Sequence, residues 1–452
     1  MQKIICLAFL ASAINGLYAQ PVLTKLTVEK IMRDPRWMGS SPSNPQWSVD
    51  GKTLSFSWNP DHQIADSSYF IGSGATTPLK ATLAQKQAFL AAGTVVYSQN
   101  FQSYTFSKDG DVYYYDLKPA ILRRITNTSD AELNPQFSYG DTRIVYARNQ
   151  NLYAWDIKSG ETLQLTNIKT GKAPSPTTGK ESDSLTLQET WLKQDQLQHF
   201  DVLKARKELK NKGDAYTSAA KPKELRSIYI GNKILQGLQV SPDGRFVSYR
   251  LQQPATNTKT TQVPSYVTET AFTNNLPARA KVGTPSATHE FFIYDRITDT
   301  VILVKTDSVP GIMDLPLYLN DYPKQLEIQK KKPVNRNVIF YGPYWSPRGK
   351  HAVVDIRSDD NKDRWLMLWD TAAKQLRILD RQHDEAWIGG PGIGGNIGWL
   401  DDHTCWYQSE QTGYSHLYTI NIGTSEKKAL TQGSFEVQKA QLSRDKKYFY
   451  IS

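Results

Sequence analysis

The sequence predicts an all-β fold, a β-propeller that carries a helical insertion. Three observations predict it. A short phrase recurs along the chain, its copies are spaced at blade-like intervals, and the residues between copies read as short antiparallel strands. The phrase is clearest at Asn44-Pro45-Gln46-Trp47-Ser48-Val49-Asp50-Gly51-Lys52, which runs into Thr53-Leu54-Ser55-Phe56-Ser57-Trp58. Asp-Gly marks a tight turn, because glycine tolerates positive φ and Asp bonds its own backbone. The apolar and small polar mixture that follows suits a half-buried strand.

Copies follow at Asn134-Pro135-Gln136-Phe137-Ser138, Gln239-Val240-Ser241-Pro242-Asp243-Gly244 and Tyr344-Trp345-Ser346-Pro347-Arg348-Gly349. A degenerate copy is Trp399-Leu400-Asp401-Asp402, and the last copy is Gln441-Leu442-Ser443-Arg444-Asp445. The positions Trp47, Phe137, Val240, Trp345, Trp399 and Leu442 are separated by 90, 103, 105, 54 and 43 residues. One blade takes about 40–45 residues. The first step is therefore two blades and the last two are one each. The middle steps are two blades, or one blade with a long insertion.

In chain order, Thr24 to Met38 holds a short helical pattern and Lys80 to Leu90 has helix-friendly composition. Three strands are expected at 95–97, 103–106 and 112–115, closed by 122–126. The next unit is the cleanest, with strands at 143–146, 152–156 and 162–166 and turns at Asn149-Gln150-Asn151 and Ser159-Gly160-Glu161. Strand pairs follow at 291–295 with 300–304 and at 365–370 with 375–379. Two insertions stand out. The first, about 170–225, turns helical after a capping box at Thr186–Glu189. Trp191, Leu192, Phe200 and Leu203 supply its apolar side, and Lys212-Gly213 is its expected stop. Lys204, Arg206, Lys207 and Lys210 are placed where a helix C-terminus favours cations. The second insertion, 252–288, is rich in Thr, Pro and Asn. The last strand, Tyr448 to Ser452, follows a phrase with no partners after it, so the propeller is expected to be incomplete at this end.

Residues 1–19 have one positive charge, a short apolar run and Ala19 before Gln20. They read as a signal peptide, which predicts export to the periplasm or medium. The rest of the chain, 20–452, is expected to be propeller. Without the leader the only cysteine is Cys405, so stability must come from the core rather than from an intrachain disulfide. Cys405 beside Trp406 is expected to be a buried structural thiol. The net charge of +10 is spread over separated lysine clusters, which argues against nucleic-acid binding.

The seven histidines show no metal spacing, and His416 is expected to be structural. Asp359-Asp360-Asn361-Lys362-Asp363 lacks the glycine and distant glutamate of a calcium loop and reads as a polar hairpin turn. Gly389-Gly390-Pro391-Gly392-Ile393-Gly394-Gly395 is neither a nucleophile elbow nor a phosphate loop, and reads as a flexible inter-blade loop. There is no Gly-x-Ser-x-Gly in the sequence, so no catalytic residue of a serine hydrolase is expected in it; no metal or cofactor is expected either.

Three stretches resemble the N-terminal propeller of dipeptidyl peptidase IV-like serine peptidases, in the prolyl oligopeptidase group. They are Lys281-Val282-Gly283-Thr284-Pro285-Ser286 before Phe291–Asp295, Trp399-Leu400-Asp401 with Ser409 to Tyr418, and Leu430 to Val437. The resemblance implies an eight-bladed propeller capping a C-terminal α/β-hydrolase domain that carries a Ser-His-Asp triad. Peptide substrate is enclosed between the two, and a homodimer is allowed for. Relatives that remove dipeptides hold the substrate amine with a Glu-Glu pair after a Trp. The corresponding stretch here is Glu189 to Gln196. Trp191 matches, the pair does not, and Glu189 and Asp195 are the nearest acids. The plainer reading is that both carboxylates cap and solvate a helix. The rival to a peptidase is a stand-alone propeller that binds a protein or ligand, which would close its ring with a complete last blade.

Overall fold

The computed structural model describes residues 26–32, 40–48, 52–63, 65–88, 95–174, 186–220 and 224–452. The expected leader, the Asp50-Gly51 turn and the start of the first insertion lie outside them. The chain divides into two compact units, Met1–Thr94 and Val95–Ser452.

The first unit contains one four-stranded antiparallel sheet, Ser40–Trp47, Thr53–Asn59, Ser67–Gly72 and Leu79–Lys80. Phe56, Trp58 and Tyr69 cluster on it, with Trp58 and Tyr69 edge to face at 5.3 Å. The helices expected on either side are short, Val28–Ile31 and Leu83–Ala88.

The second unit holds five more such sheets, each with neighbouring strands antiparallel in sheet order. They span residues 96–124, 133–164, 234–303, 338–383 and 397–429, and are called blades 2 to 6, after the sheet of the first unit. Paired strands Ala440–Leu442 and Phe449–Ile451 follow. The middle phrase spacings are thereby decided: each is a single blade plus an insertion. Blade 2 has a phrase the sequence hides, because Tyr97-Ser98-Gln99-Asn100-Phe101 lacks the Asp-Gly turn.

Consecutive blades bury their faces against each other. Val112 and Tyr114 of blade 2 meet Ile144, Tyr146 and Trp155 of blade 3. Val145, Leu152 and Ala154 meet Val240, Val247 and Tyr249 of blade 4. Phe246, Phe291 and Ile293 meet Phe340, Val354, Ile356 and Trp365 of blade 5. Val353, Leu366 and Leu368 meet Trp399, Cys405 and Tyr407 of blade 6. Trp406 and Leu417 meet Ala440 and Phe449. A central blade is thus covered on both sides, which is why Ala352–Ser358 is buried almost throughout instead of alternating.

The phrase supplies the joints. Gln136 Nε2 donates to the Val240 carbonyl at 3.3 Å, Gln239 Nε2 to Pro343 at 2.8 Å, and Trp399 Nε1 to Tyr344 at 3.0 Å. Its turns also touch in order. Gln99 N–H donates to Asp141, Ser138 Oγ to the Ser241 carbonyl, and Arg348 N–H to Asp402. Gly349 lies against Asp243 with φ +72°, where a Cβ would come within 2.9 Å of the Asp243 nitrogen. Lys446 Nζ donates to Leu400, and Arg444 of the last turn lies over the Tyr97 and Phe101 rings of blade 2.

A second rule fixes the outer strands. The Thr that ends a blade accepts the N–H of the third strand: Thr126 from Val112, Thr166 from Leu152 and Thr431 from Leu417, at 2.9, 2.9 and 3.0 Å.

The helical insertion departs from expectation. The capping box at Thr186 and Glu189 forms, and the first helix is Leu187–His199. Phe200 then takes an extended conformation and a second helix runs Asp201–Ala220. Gly213 does not stop it. A single internal glycine costs only about 1 kcal/mol against Ala, and the residues around it are adequate helix formers. The cations Lys204, Arg206, Lys207 and Lys210 consequently occupy the first half of that helix, away from its C-terminal dipole. Trp191, Leu192, Phe200 and Leu203 are exposed, not packed. The second insertion is a hairpin, Thr260–Ser265 with Asn274–Ala280.

Candidate functional site

The two ends of these blades differ. In the second unit, every connection at the phrase end is a short turn. The long connections all leave from the opposite end: the helical insertion, the hairpin, the segment 304–337 and the loops 384–396 and 430–439. Binding residues concentrate on such loops held by a rigid scaffold.

The three residues proposed from sequence sit there, on the first insertion helix. Glu189 is engaged in the cap: its Oε2 accepts from the Thr186 N–H at 2.8 Å and from Thr186 Oγ1 at 2.9 Å. Those bonds hold its carboxyl below the usual range. Asp195 faces His199 one turn on, at 3.4 Å. Trp191 is 63% exposed. Six residues along a helix place Glu189 and Asp195 about 120° apart and about 9 Å along the axis, so helix geometry does not join them as a pair.

Among the described residues, the densest charged constellation is on blade 5. Asp363 opens the third strand, Asp363–Asp370, and its side chain is fully buried. Arg336 Nη2 donates to it at 2.6 Å, Arg381 Nε at 2.9 Å, and His383 Nδ1 lies 3.1 Å away. Arg336 also approaches Asp360, Arg381 bonds Asp314 at 2.8 Å, and His383 Nε2 and Lys362 both reach Glu385. Burial would raise the Asp363 pKa, but the two guanidiniums outweigh it and hold the carboxyl below its ordinary value. The hydrogen bond to Glu385 raises His383, with Asp363 adding to it and burial opposing.

Both arginines also lie over the Trp365 ring, whose Nε1 donates to the Pro310 carbonyl at 2.8 Å. These contacts strap the segment 304–337 across the blade, with Val309, Ile312 and Leu319 buried beneath. A cleft of about 460 Å³ opens beside it, lined by Asp314, Arg336, Lys362, Arg381, His383 and Glu385. The cluster is close to neutral and presents both donors and acceptors to the cleft.

Sequence reasoning read 359–363 as a polar turn, and residues 359–362 do form one, with Asn361 at φ +58°. It passed over the strand-opening role of Asp363. The signal was available in register: Asp111, Asn151, Asp363 and His416 each open the third strand of their blade. His416 is structural as expected, bonded to Thr431 and the Gly433 carbonyl. Cys405 is buried, which pushes its thiol up to about 12 and makes it inert.

The glycine run 389–395 links blades 5 and 6 as expected, but it is packed. A Cβ at Gly390 would overlap Glu410 and one at Gly392 would overlap Gln408. Ser415 and Arg357 donate to the Pro391 and Ile393 carbonyls. Its glycines serve close approach, not looseness.

The sequence matches the family described as the dipeptidyl peptidase IV (DPP IV) N-terminal region over residues 91–175 and 233–451. This chain belongs to that family. The stretch between the matched segments contains both insertion helices, so Glu189, Trp191 and Asp195 fall outside the family match, while the blade 5 constellation falls inside it. Among solved structures, the chain is similar to a dipeptidyl peptidase 4 from Porphyromonas gingivalis, with 12% identity and a TM-score of 0.42. That alignment covers 89% of this chain and 49% of the other. A Bacteroides ovatus protein assigned as a dipeptidyl aminopeptidase IV gives 12% identity and a TM-score of 0.40, covering 89% and 48%. The chain thus spans about half the length of the solved structures it matches.

Proposed function

We propose that this DPP IV N-terminal propeller admits and binds short peptides for an exported serine-type peptidase. The family match over both ends of the second unit carries the reading. The gathering of long connections at one end of the blades supports it, because that end offers adaptable side chains on a fixed frame. The triad and its acyl-transfer chemistry belong to a C-terminal α/β-hydrolase domain of the full-length protein. Within the propeller, the exposed Trp191 ring and the Glu189 and Asp195 carboxylates are the substrate contacts on the insertion helix. The segment 1–19 directs export, and a fusion of it to a periplasm-dependent reporter should be active. A silent reporter removes that assignment.

The deciding experiment measures binding and chemistry on the purified chain. Fluorescent short peptides should bind saturably while peptide p-nitroanilides stay intact. Hydrolysis with labelling by a fluorophosphonate would place the chemistry in this chain and overturn the division of labour. Absence of any peptide binding would favour a stand-alone module for another ligand.

A further inference from the structure

Arg250 lies in the second strand of blade 4, Phe246–Gln253. Its Nη1 donates to the Phe340 carbonyl of blade 5 at 2.6 Å, and its Nε is buried without a partner. Among the described residues no carboxylate pairs with it. The neighbouring blade makes the shortage larger. Asp355 is shared by Arg357 at 3.0 Å and by the fully buried Arg364 at 3.1 Å. Arg357 Nε and Arg364 Nη2 are also buried without acceptors.

Arg250 bonds the Phe340 carbonyl, Arg357 lies over the ring of the next residue, Tyr341, and Tyr341 pairs with Asp355 across the sheet. Three guanidiniums therefore share a neighbourhood with one carboxylate, and each keeps an orphaned donor. Buried N–H groups are rarely left so, and desolvated guanidinium is costly without a counter-charge. The backbone of blade 4 is shaped around the Arg250 guanidinium, which occupies the space a side chain at Gly237 would need. Gly237, at φ +58°, faces Arg250, and a Cβ there would stand 2.8 Å from Nη2. The Tyr341 ring lies under Arg357 at 4.6 Å and supplies an apolar wall.

We propose that Arg250, with Arg357 and Arg364, forms a carboxylate-binding site on the second strands of blades 4 and 5 and the third strand of blade 5. A guanidinium fork matches a carboxylate in two parallel bonds, which suits it to this ligand better than to a spherical anion. The carboxylate comes from a peptide, at its C-terminus, or from a small free acid. The peptide source rests on the peptide-binding reading above; the site itself does not.

The test has two arms. In the first, the melting temperature is followed in sodium succinate and in sodium chloride of equal ionic strength. Succinate should stabilise the wild type more, and Arg250→Met should erase the difference. Arg250→Lys, which keeps charge but loses the fork, should retain a smaller one, and it serves if the Met variant folds poorly. A succinate effect that survives in Arg250→Met, or none in the wild type, overturns the site. In the second arm, a labelled hexapeptide is compared with its C-terminal amide. About tenfold tighter binding of the free acid, lost in Arg250→Met, identifies the peptide terminus as the source. Equal binding with the succinate effect intact identifies a small acid. Peptide binding with neither preference overturns the site and leaves the peptide-binding reading standing. No peptide binding with the succinate effect intact does the reverse.

Discussion

Asp363 stays ionised in a buried setting because Arg336 and Arg381 both reach it. Removing one partner of such a cluster leaves a charge without compensation, at about 3–5 kcal/mol. His383 adds a pH dependence with a definite sign. Its folded pKa is raised by Glu385 and then Asp363. Its stabilisation is therefore complete below the unfolded value of about 6.5 and fades as pH rises through the folded value. Urea titrations between about pH 6 and about pH 8 should show stability falling more in the wild type than in His383→Gln. Equal slopes would mean the ring makes no net contribution. Asp295 has the opposite sign. The bond from Arg245 lowers it to about 2 against burial, so its contribution is present near neutrality and disappears as acid approaches that value. Asp295→Asn should cost about 1.5–3 kcal/mol near neutral pH, the range for a charged hydrogen bond, and much less in strong acid. A loss that is independent of pH would assign the effect to packing.

The insertion helix depends on its ends, since no residue in it is buried. Its stability rests on the Thr186–Glu189 box and not on packing. Thr186→Ala should cost about 1 kcal/mol of local stability. Hydrogen exchange should quicken over 187–199 while the global urea midpoint stays put. A shifted midpoint would show that the helix is coupled to the blades. Trp191→Ala tests the proposed contact on the same element. If the ring anchors a peptide, affinity should drop about tenfold with helix content unchanged. Unaltered affinity moves the contact to the blades. The sequence showed this element as a helix and showed its cap. It did not show the break at Phe200, where no proline or glycine signals it, and it wrongly assigned the stop to Gly213.

For the second unit as a whole, order is carried by face-to-face cores and by the circuit of phrase turns. Arg444 over Tyr97 and Phe101 is the contact that returns from the last turn to blade 2. Cation–π pairs of this kind contribute about 0.5–1 kcal/mol each, so Arg444→Ala should lower the melting temperature modestly. It should also raise proteolysis near residues 440–452 first. Uniform susceptibility along the chain would mean that this contact closes nothing.

The sequence by itself determined the strands, the tight turns and the recurrence. Each follows from local chemistry: Asp-Gly and Pro turns, alternating side chains, and a cap written in four residues. It also carried the family, through motifs at 281–286, 399–418 and 430–437 that the match over 233–451 contains. Only the tertiary structure decided how many blades fill the middle intervals, that the glycine run is packed, and that Asp363, Arg336, Arg381 and His383 meet. Only it could show that Arg357 and Arg364 share Asp355 while Arg250 nearby has no carboxylate among the described residues. Those residues are separated in sequence and come from different strands, loops and blades. Their proximity is set by the stacking of sheets, and no local pattern records which strand a side chain will face.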